Sequence, residues 1–297
     1  MERVPAQLRF LKMEGVGNDF VVVDGRPLHG MDWSGLAREM CNRHYGVGAD
    51  GLLVIDTSRI AHAMMRMYNP DGTPDVCGNG LRCIARLLAE EGAGDPLPND
   101  EGAILVTIAT IAGVRQAIVR PHAPANSRVT VDMGHPHFEP ERVPIQAPIG
   151  TGPEYTLDVN GEPVRLMALS TGSTHSVLFV QELPQDHHFQ QMSAAIENHP
   201  VFPDRTSVMW TRVEACNTLR LRIWERGVGE TMGCGTGACA AAVAAILQER
   251  VHSPVIVASA GGELRVEWQP GGTIRLTGPA EYVFRGTYPL DPDGDAH

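Results

Sequence analysis

The sequence predicts an α+β protein of two pseudo-symmetric halves, each with mixed or antiparallel strands around one long helix that begins at a cysteine. Three observations predict it. First, Cys77-Gly78-Asn79-Gly80 and Cys234-Gly235-Thr236-Gly237 each open an apolar, helix-like run, LRCIARLLAEE and ACAAAVAAILQER respectively. Second, the landmarks upstream of each run repeat. Arg66-Met67-Tyr68-Asn69 resembles Arg222-Ile223-Trp224-Glu225, eleven residues before the first cysteine and twelve before the second. GNDFVVVD starts at Gly17 and GSTHSVLFV at Gly172, sixty and sixty-two residues before the same cysteines. Third, strand-like runs outnumber helices, and the strict alternation of a doubly wound sheet is missing.

The strands are read from FVVVD, GLLVID, AILVTIAT and RVTVDMG, then VRLMALST, HSVLFV, LRLRIW, PVIVASA, LRVEW and IRLTG. Each is rich in Val, Ile, Leu or Thr, and many alternate or end at Gly, Pro or Asp, as strands do. Each half also has a second helix-like segment, at roughly 32–43 and 187–199. The stretches 91–102 and 135–155 carry Gly and Pro without periodicity and read as connections, and the tail DPDGDAH as a frayed end.

A chain of 297 residues favours two domains, and its 32 glycines and 22 prolines imply many turns. The formal charge of −11 argues against a nucleic-acid partner or an anionic membrane surface. The N-terminal stretch lacks the apolar core and cleavage site of a signal peptide, and no apolar run is long enough to cross a membrane. Six cysteines, at 41, 77, 83, 216, 234 and 239, do not resemble a secreted disulfide scaffold. The expected location is the reducing cytoplasm.

A helix N-terminus presents unpaired N–H groups and about half a positive charge, which favour a thiolate and lower a cysteine pKa. The same N–H groups bind a carboxylate, and neighbouring glycines let it approach closely. Two such thiols in a duplicated chain suit proton exchange at a carbon beside a carboxylate. One thiolate removes the proton while the opposite thiol delivers another, which inverts the centre. PLP, the usual electron sink for such chemistry, is held by a lysine. This chain has one lysine, Lys12, with no phosphate-binding pattern around it, so no cofactor is expected.

Other patterns read as structure. Cys83 and Cys239 follow the key cysteines by six and five residues, project about 240° and 140° away at 100° per residue, and face the core. That geometry makes Cys234 and Cys239 a poor zinc pair, and no metal site is expected. Cys41 and Cys216 read as small buried hydrophobes. GVGADG (46–51) precedes a strand-like run rather than a helix, so it reads as a turn, not a dinucleotide site. His175 and Glu225 fall at duplicated landmarks and are taken as site residues.

With those residues in place, GVGNDF (15–20), NPDGTPDVCGNGLRC (69–83) and ERGVGETMGCGTGAC (225–239) closely resemble the signature segments of the diaminopimelate epimerases. The resemblance implies two domains with the active site in the cleft between them, a cytoplasmic homodimer, and a role in lysine and cell-wall precursor synthesis. It implies that AEYVFRG (280–286) returns to the first domain, giving domains of 1–122 with 280–297, and 123–279. Cys77 and Cys234 would be the acid/base pair, assisted by His175 and Glu225. Gly78, Asn79, Gly235 and Thr236 would bind the reacting carboxylate, and Asn18 would line the pocket. Asn69 and Arg226 would hold the distal end of the amino acid. The family usually has asparagine where Ser173 and Ser207 stand, in the group that recognises that end. A serine is shorter and offers one donor where an amide offers two. The alternatives are therefore a racemase of histidine or a basic amino acid on the same scaffold, or a thiol-switch or binding protein.

Overall fold

The computed structural model describes residues 7–125, 128–146, 152–214 and 217–290. Cys216 and the tail from 291 lie outside the described residues. Two compact units divide the chain: Met1–Val131 with Gly278–His297, and Asp132–Thr277. No described helix is long and apolar enough to cross a membrane.

The first unit runs β1 (Gln7–Gly15), β2 (Asn18–Asp24), α1 (Trp33–Met40), β3 (Gly51–Asp56), β4 (Ala63–Tyr68), β5 (Pro74–Asp75), α2 (Gly78–Glu90), β6 (Asp95–Pro96), β7 (Ile104–Thr110), β8 (Gly113–Val119) and β9 (Val129–Gly134). The second follows with β10 (Glu154–Val159), β11 (Glu162–Ser170), β12 (Thr174–Val180), α3 (Asp186–Glu197), β13 (Ser207–Val213), β14 (Thr218–Glu225), β15 (Gly229–Thr231), α4 (Gly235–Leu247), β16 (Val255–Ser259), β17 (Gly262–Glu267) and β18 (Ile274–Gly278). The last strand, β19 (Glu281–Pro289), pairs antiparallel with β1.

The pairings repeat between units. β2 and β3 are parallel across α1, as β12 and β13 are across α3. β4 pairs parallel with β7 across α2, as β14 does with β16 across α4. β3–β4 and β13–β14 are antiparallel, as are β7–β8 and β16–β17. The mixed strand directions are those of the α+β class expected.

The central strands explain themselves by what covers them. Leu52 and Val54 of β3 pack with Trp33, Leu36 and Met40 of α1. Leu53, between them, points the other way and meets Gly80 of α2. In the second unit Val208 and Trp210 pack with Phe189, Met192 and Ile196 of α3, while Met209 meets Gly237 of α4. Because side chains alternate along a strand, the two helices of each unit cover opposite faces of its sheet. Strands buried on both faces read as continuous apolar runs, which is why GLLVID does not alternate.

Each α2 and α4 contains thirteen residues. At the second glycine of each Cys-Gly-x-Gly motif helix and sheet approach closely. A Cβ at Gly80 would lie 3.0 Å from Leu53 Cδ2, and one at Gly237 would lie 2.4 Å from Met209 Sδ.

Candidate active site

Both key cysteines are N-caps. Cys77 has φ −142° and ψ 120°, Cys234 φ −131° and ψ 115°, the extended backbone an N-cap requires. In each, the sulfur occupies the place of a capping oxygen: Gly80 N–H donates to Cys77 Sγ at 3.5 Å, and Gly237 N–H to Cys234 Sγ at 3.4 Å. The cap geometry of the backbone therefore holds each thiol against its first helical turn.

In the first unit the chain reverses between β1 and β2 through Val16 and Gly17, with φ of 53° and 78°. Two successive positive φ values make the two-residue turn that matches strand twist, and they deliver Asn18 to the start of β2. Asn18 Nδ2 donates to Asp50 Oδ2 at 2.8 Å, which turns its carbonyl oxygen the other way. That oxygen accepts from Cys77 Sγ at 3.5 Å and from Asn79 Nδ2 at 3.1 Å. Asn79 is 1% exposed, and its own carbonyl oxygen is buried without a hydrogen-bond partner. Cys77, Gly78, Asn79 and Asn18 thus form one group. Asn69, at the turn after β4, instead donates to Thr73 Oγ1 (3.2 Å) and Asp75 Oδ2 (3.3 Å).

Behind this group lies Lys12. It is buried, paired with Asp19, and its ammonium donates to the Gly48 carbonyl. Arg43 bridges Asp19 and Asp50 at 2.7 Å each. Burial alone would raise the Asp19 pKa, but hydrogen bonds from Arg43 and Lys12 overcome it and hold the carboxyl down at about 2.

In the second unit the β11–β12 turn passes through Gly172 at φ 114°, and Thr171 Oγ1 donates to the Thr236 carbonyl at 2.9 Å, tying the turn to the start of α4. Ser173 Oγ lies 3.3 Å from His175 Nε2. His175 is 1% exposed; burial, with the charge of Arg226 adding to it, lowers its pKa to about 3, so the imidazole is neutral. Its Nδ1 is buried without a hydrogen-bond partner. Ser207 stands opposite His175 in the β12–β13 ladder, and its hydroxyl accepts the Arg226 backbone N–H at 3.1 Å. The Arg226 guanidinium donates to the Asp204 carbonyl at 2.8 Å.

Cys234 corrects one expectation. A helix start was expected to lower its pKa, yet the thiol is pushed well above its ordinary value. Burial is the main cause, the Glu225 charge the next, and the hydrogen bonds from Thr236 and Gly237 only oppose them. At 6% exposure, desolvation outweighs the helix dipole. The thiol also hydrogen-bonds the Glu225 carboxylate, which accepts from Thr231 Oγ1 at 2.6 Å. Cys234 therefore rests as a thiol facing a carboxylate. Cys234, Gly235, Thr236 and Glu225 form the second group, with Ser173, His175, Ser207 and Arg226 on the adjoining strand ends.

Sequence reasoning missed Asp50, which sits inside the GVGADG turn, and Thr231, inside the Cys234 segment. An acidic residue opening a strand after a glycine-rich turn was the available signal for Asp50. Cys83 and Cys239 are fully buried, as their helical angles required. Among the described residues no three His, Cys, Asp or Glu side chains converge to hold a metal.

Solved structures share this fold along nearly the whole chain. A hydroxyproline epimerase from Agrobacterium vitis aligns with a TM-score of 0.70 at 18% identity, covering 99% of this chain and 96% of its own. A probable proline racemase from Agrobacterium radiobacter K84 aligns with a TM-score of 0.71 at 16% identity, covering 97% and 94%. With a capped thiol in each repeated unit, the fold and site define an isomerase of the epimerase and racemase class. The chain belongs to the diaminopimelate epimerase family, whose model matches residues 10–139 and 167–283. Among its relatives, the diaminopimelate epimerase of Moorella thermoacetica is 43% identical over 96% of this chain and 100% of its own length. That of Pelotomaculum thermopropionicum is 41% identical over 95% and 99%.

Proposed function

We propose that this chain interconverts LL- and meso-diaminopimelate by moving the α-proton between Cys77 and Cys234. The repeated thiol cap carries the reading, since two sulfurs bound to matching first helical turns are what a two-base inversion needs. One thiolate takes the α-proton, and the electron pair left on carbon spreads onto the carboxylate. The N–H groups around Gly78, Asn79, Gly235 and Thr236 stabilise that charge; losing one such donor typically costs about 3–4 kcal/mol. The other thiol then protonates the opposite face, leaving the protonation states of the two sulfurs exchanged.

Glu225 serves as the base that relieves Cys234 of its proton, because burial makes ionisation to solvent unfavourable. Neutral His175 is a hydrogen-bonding group rather than a second cation. Asn18, Asn69, Ser173, Ser207 and Arg226 bind the remainder of the amino acid. A PLP-independent mechanism is supported by the lone lysine, whose ammonium is committed to Asp19 and Gly48. A cytoplasmic setting is supported by the cysteine pattern of the sequence, which does not resemble a secreted disulfide scaffold, and the homodimer by the family resemblance; sedimentation at micromolar concentration tests the latter.

The reduced protein in D₂O, without added PLP, should incorporate deuterium at the α-carbon of LL-diaminopimelate and not of histidine or ornithine. Exchange confined to histidine or ornithine would establish the second reading. That reading is favoured by Ser173 and Ser207, whose hydroxyls contact His175 and Arg226 where amides are usual. Exchange with none of the three would leave a thiol-switch protein.

A further inference from the structure

We propose that Glu197, a buried carboxylate outside the residues assigned above, is the positioning residue for Glu225 and Arg226; the inference rests on the proposed role of Cys234. Glu197 ends α3 and is 5% exposed. One of its oxygens accepts the Gly227 backbone N–H at 2.8 Å and Arg205 Nη1 at 3.1 Å. The other accepts the Trp224 indole N–H at 2.7 Å. Trp224 and Gly227 stand immediately before and after Glu225 and Arg226. A single carboxylate thus holds both ends of a two-residue segment that carries the Cys234 base and the distal-end arginine.

Otherwise hydrogen bonds alone hold the segment: Arg226 to Ser207 and the Asp204 carbonyl, and Glu225 to Thr231. The β14–β15 hairpin closes it on itself, with the Val228 N–H donating to the Glu225 carbonyl at 3.0 Å. Arg226, Gly227 and Val228 are nevertheless exposed, so apolar packing does not hold the tip. Hydrogen bonds to an ionised acceptor are short and about twice as strong as neutral ones. Three converge on Glu197, and the Thr206 N–H, one residue before Ser207, donates to its backbone carbonyl at 3.3 Å. Glu197 therefore joins the end of α3 to both loops that meet at Arg226.

Glutamine is the informative replacement. It keeps the shape but has one acceptor oxygen, and its amide N–H₂ must face either the indole or the Gly227 side, both of which are donors. A displacement of about 1 Å in a catalytic group can cost on the order of 10²-fold in rate.

The test uses Glu197→Gln in the full chain, with Trp224→Phe, which removes one donor only, as the variant that decides if the first does not fold. In Glu197→Gln we expect faster amide deuterium exchange confined to the 225–231 peptide. Its kcat for diaminopimelate should fall about 10–100-fold and its KM rise severalfold, with smaller changes of the same kind in Trp224→Phe. In a Glu225→Gln background, Glu197→Gln should lower kcat by less than about twofold while still raising KM, because the residue acts on kcat through Glu225 and on KM through Arg226. Unchanged exchange of the 225–231 peptide in the folded variant, or a kcat loss that adds in full to that of Glu225→Gln, overturns the proposal. Wild-type protein inert towards diaminopimelate would instead sink the function, while the deuterium exchange still judges the clamp.

Discussion

The two cysteines have nearly the same backbone and very different company. Cys77 is half-buried and donates to a neutral amide, Asn18, at 3.5 Å. Cys234 is buried and faces a carboxylate, Glu225. At the matching landmark the first unit carries Asn69, whose amide is engaged with Thr73 and Asp75. Duplication has kept what the backbone makes, the cap and its N–H to sulfur bond, while side chains from other elements have diverged. A more buried thiol is harder to ionise, so under the proposed mechanism the unit that buries its cysteine is the one that needs a neighbouring base.

The largest effect comes from removing either sulfur. Cys77→Ser and Cys234→Ser should each lower epimerisation by about 10³-fold or more, within reach of the 10²–10⁴-fold a positioned base contributes together with the loss of thiolate basicity. Chiral separation of the two stereoisomers over time measures it. Wild-type turnover by either variant would refute the two-base assignment.

Removing the companions should separate the two sites. Glu225→Gln is expected to lower kcat about 10²-fold and to leave a rate that climbs with pH into the alkaline range. Without the base, Cys234 must lose its proton to solution against its burial, the first cause of its raised pKa. Asn18→Ala should cost about 10-fold with no such alkaline climb, because Asn18 is not a proton acceptor. Parallel pH–rate profiles for the two variants would contradict the asymmetry.

Much of this was legible in the chain. The duplicated cysteine motifs announced the two caps, and the apolar runs found ten of the strands. β1 escaped because its alternation breaks at Lys12, a buried lysine beside a bulge between Lys12 and Met13. β13 escaped because Ser207-Val208-Met209-Trp210-Thr211 is buried on both faces and mixes polar with apolar residues. Asp50, marked only by its place after a glycine-rich turn, and Glu197, not marked at all, escaped for a different reason. Their contacts to Asn18 and Gly227 span 32 and 30 residues, and no local spacing encodes a partner brought close only by the sheet.

Acid should also tell the units apart. His175 is neutral in the fold because its pKa is depressed to about 3 from 6.5. Between those values the unfolded chain binds a proton the native state does not, so stability present above pH 6.5 is lost as pH falls towards 3. Asp19 is depressed from 3.8 to about 2 by Arg43 and Lys12 against its burial. Its contribution is present above pH 3.8 and is lost only below it. Thermal melts should therefore show His175→Asn flattening the decline between pH 6.5 and 4, and Asp19→Asn leaving that window unchanged. An unaltered slope in His175→Asn would break the assignment.

The smallest effect is expected where the two caps meet their sheets. Alanine in place of a helical glycine gains about 1 kcal/mol from propensity. At Gly80 the new Cβ meets Leu53 Cδ2 at 3.0 Å, a tight contact that a small shift relieves, so Gly80→Ala should be near neutral. At Gly237 it meets Met209 Sδ at 2.4 Å and Cε at 2.9 Å, a deeper overlap, so Met209, fully buried like Leu53, must move further to relieve it. Overpacking of that kind costs about 1–3 kcal/mol, so Gly237→Ala should be the less stable of the pair by about 1–2 kcal/mol after the propensity gain is counted. Urea titration of both variants measures the difference. Equal stabilities would mean that α4 rides over its sheet as loosely as α2 does, and that the deeper burial of Cys234 does not come from closer helix packing.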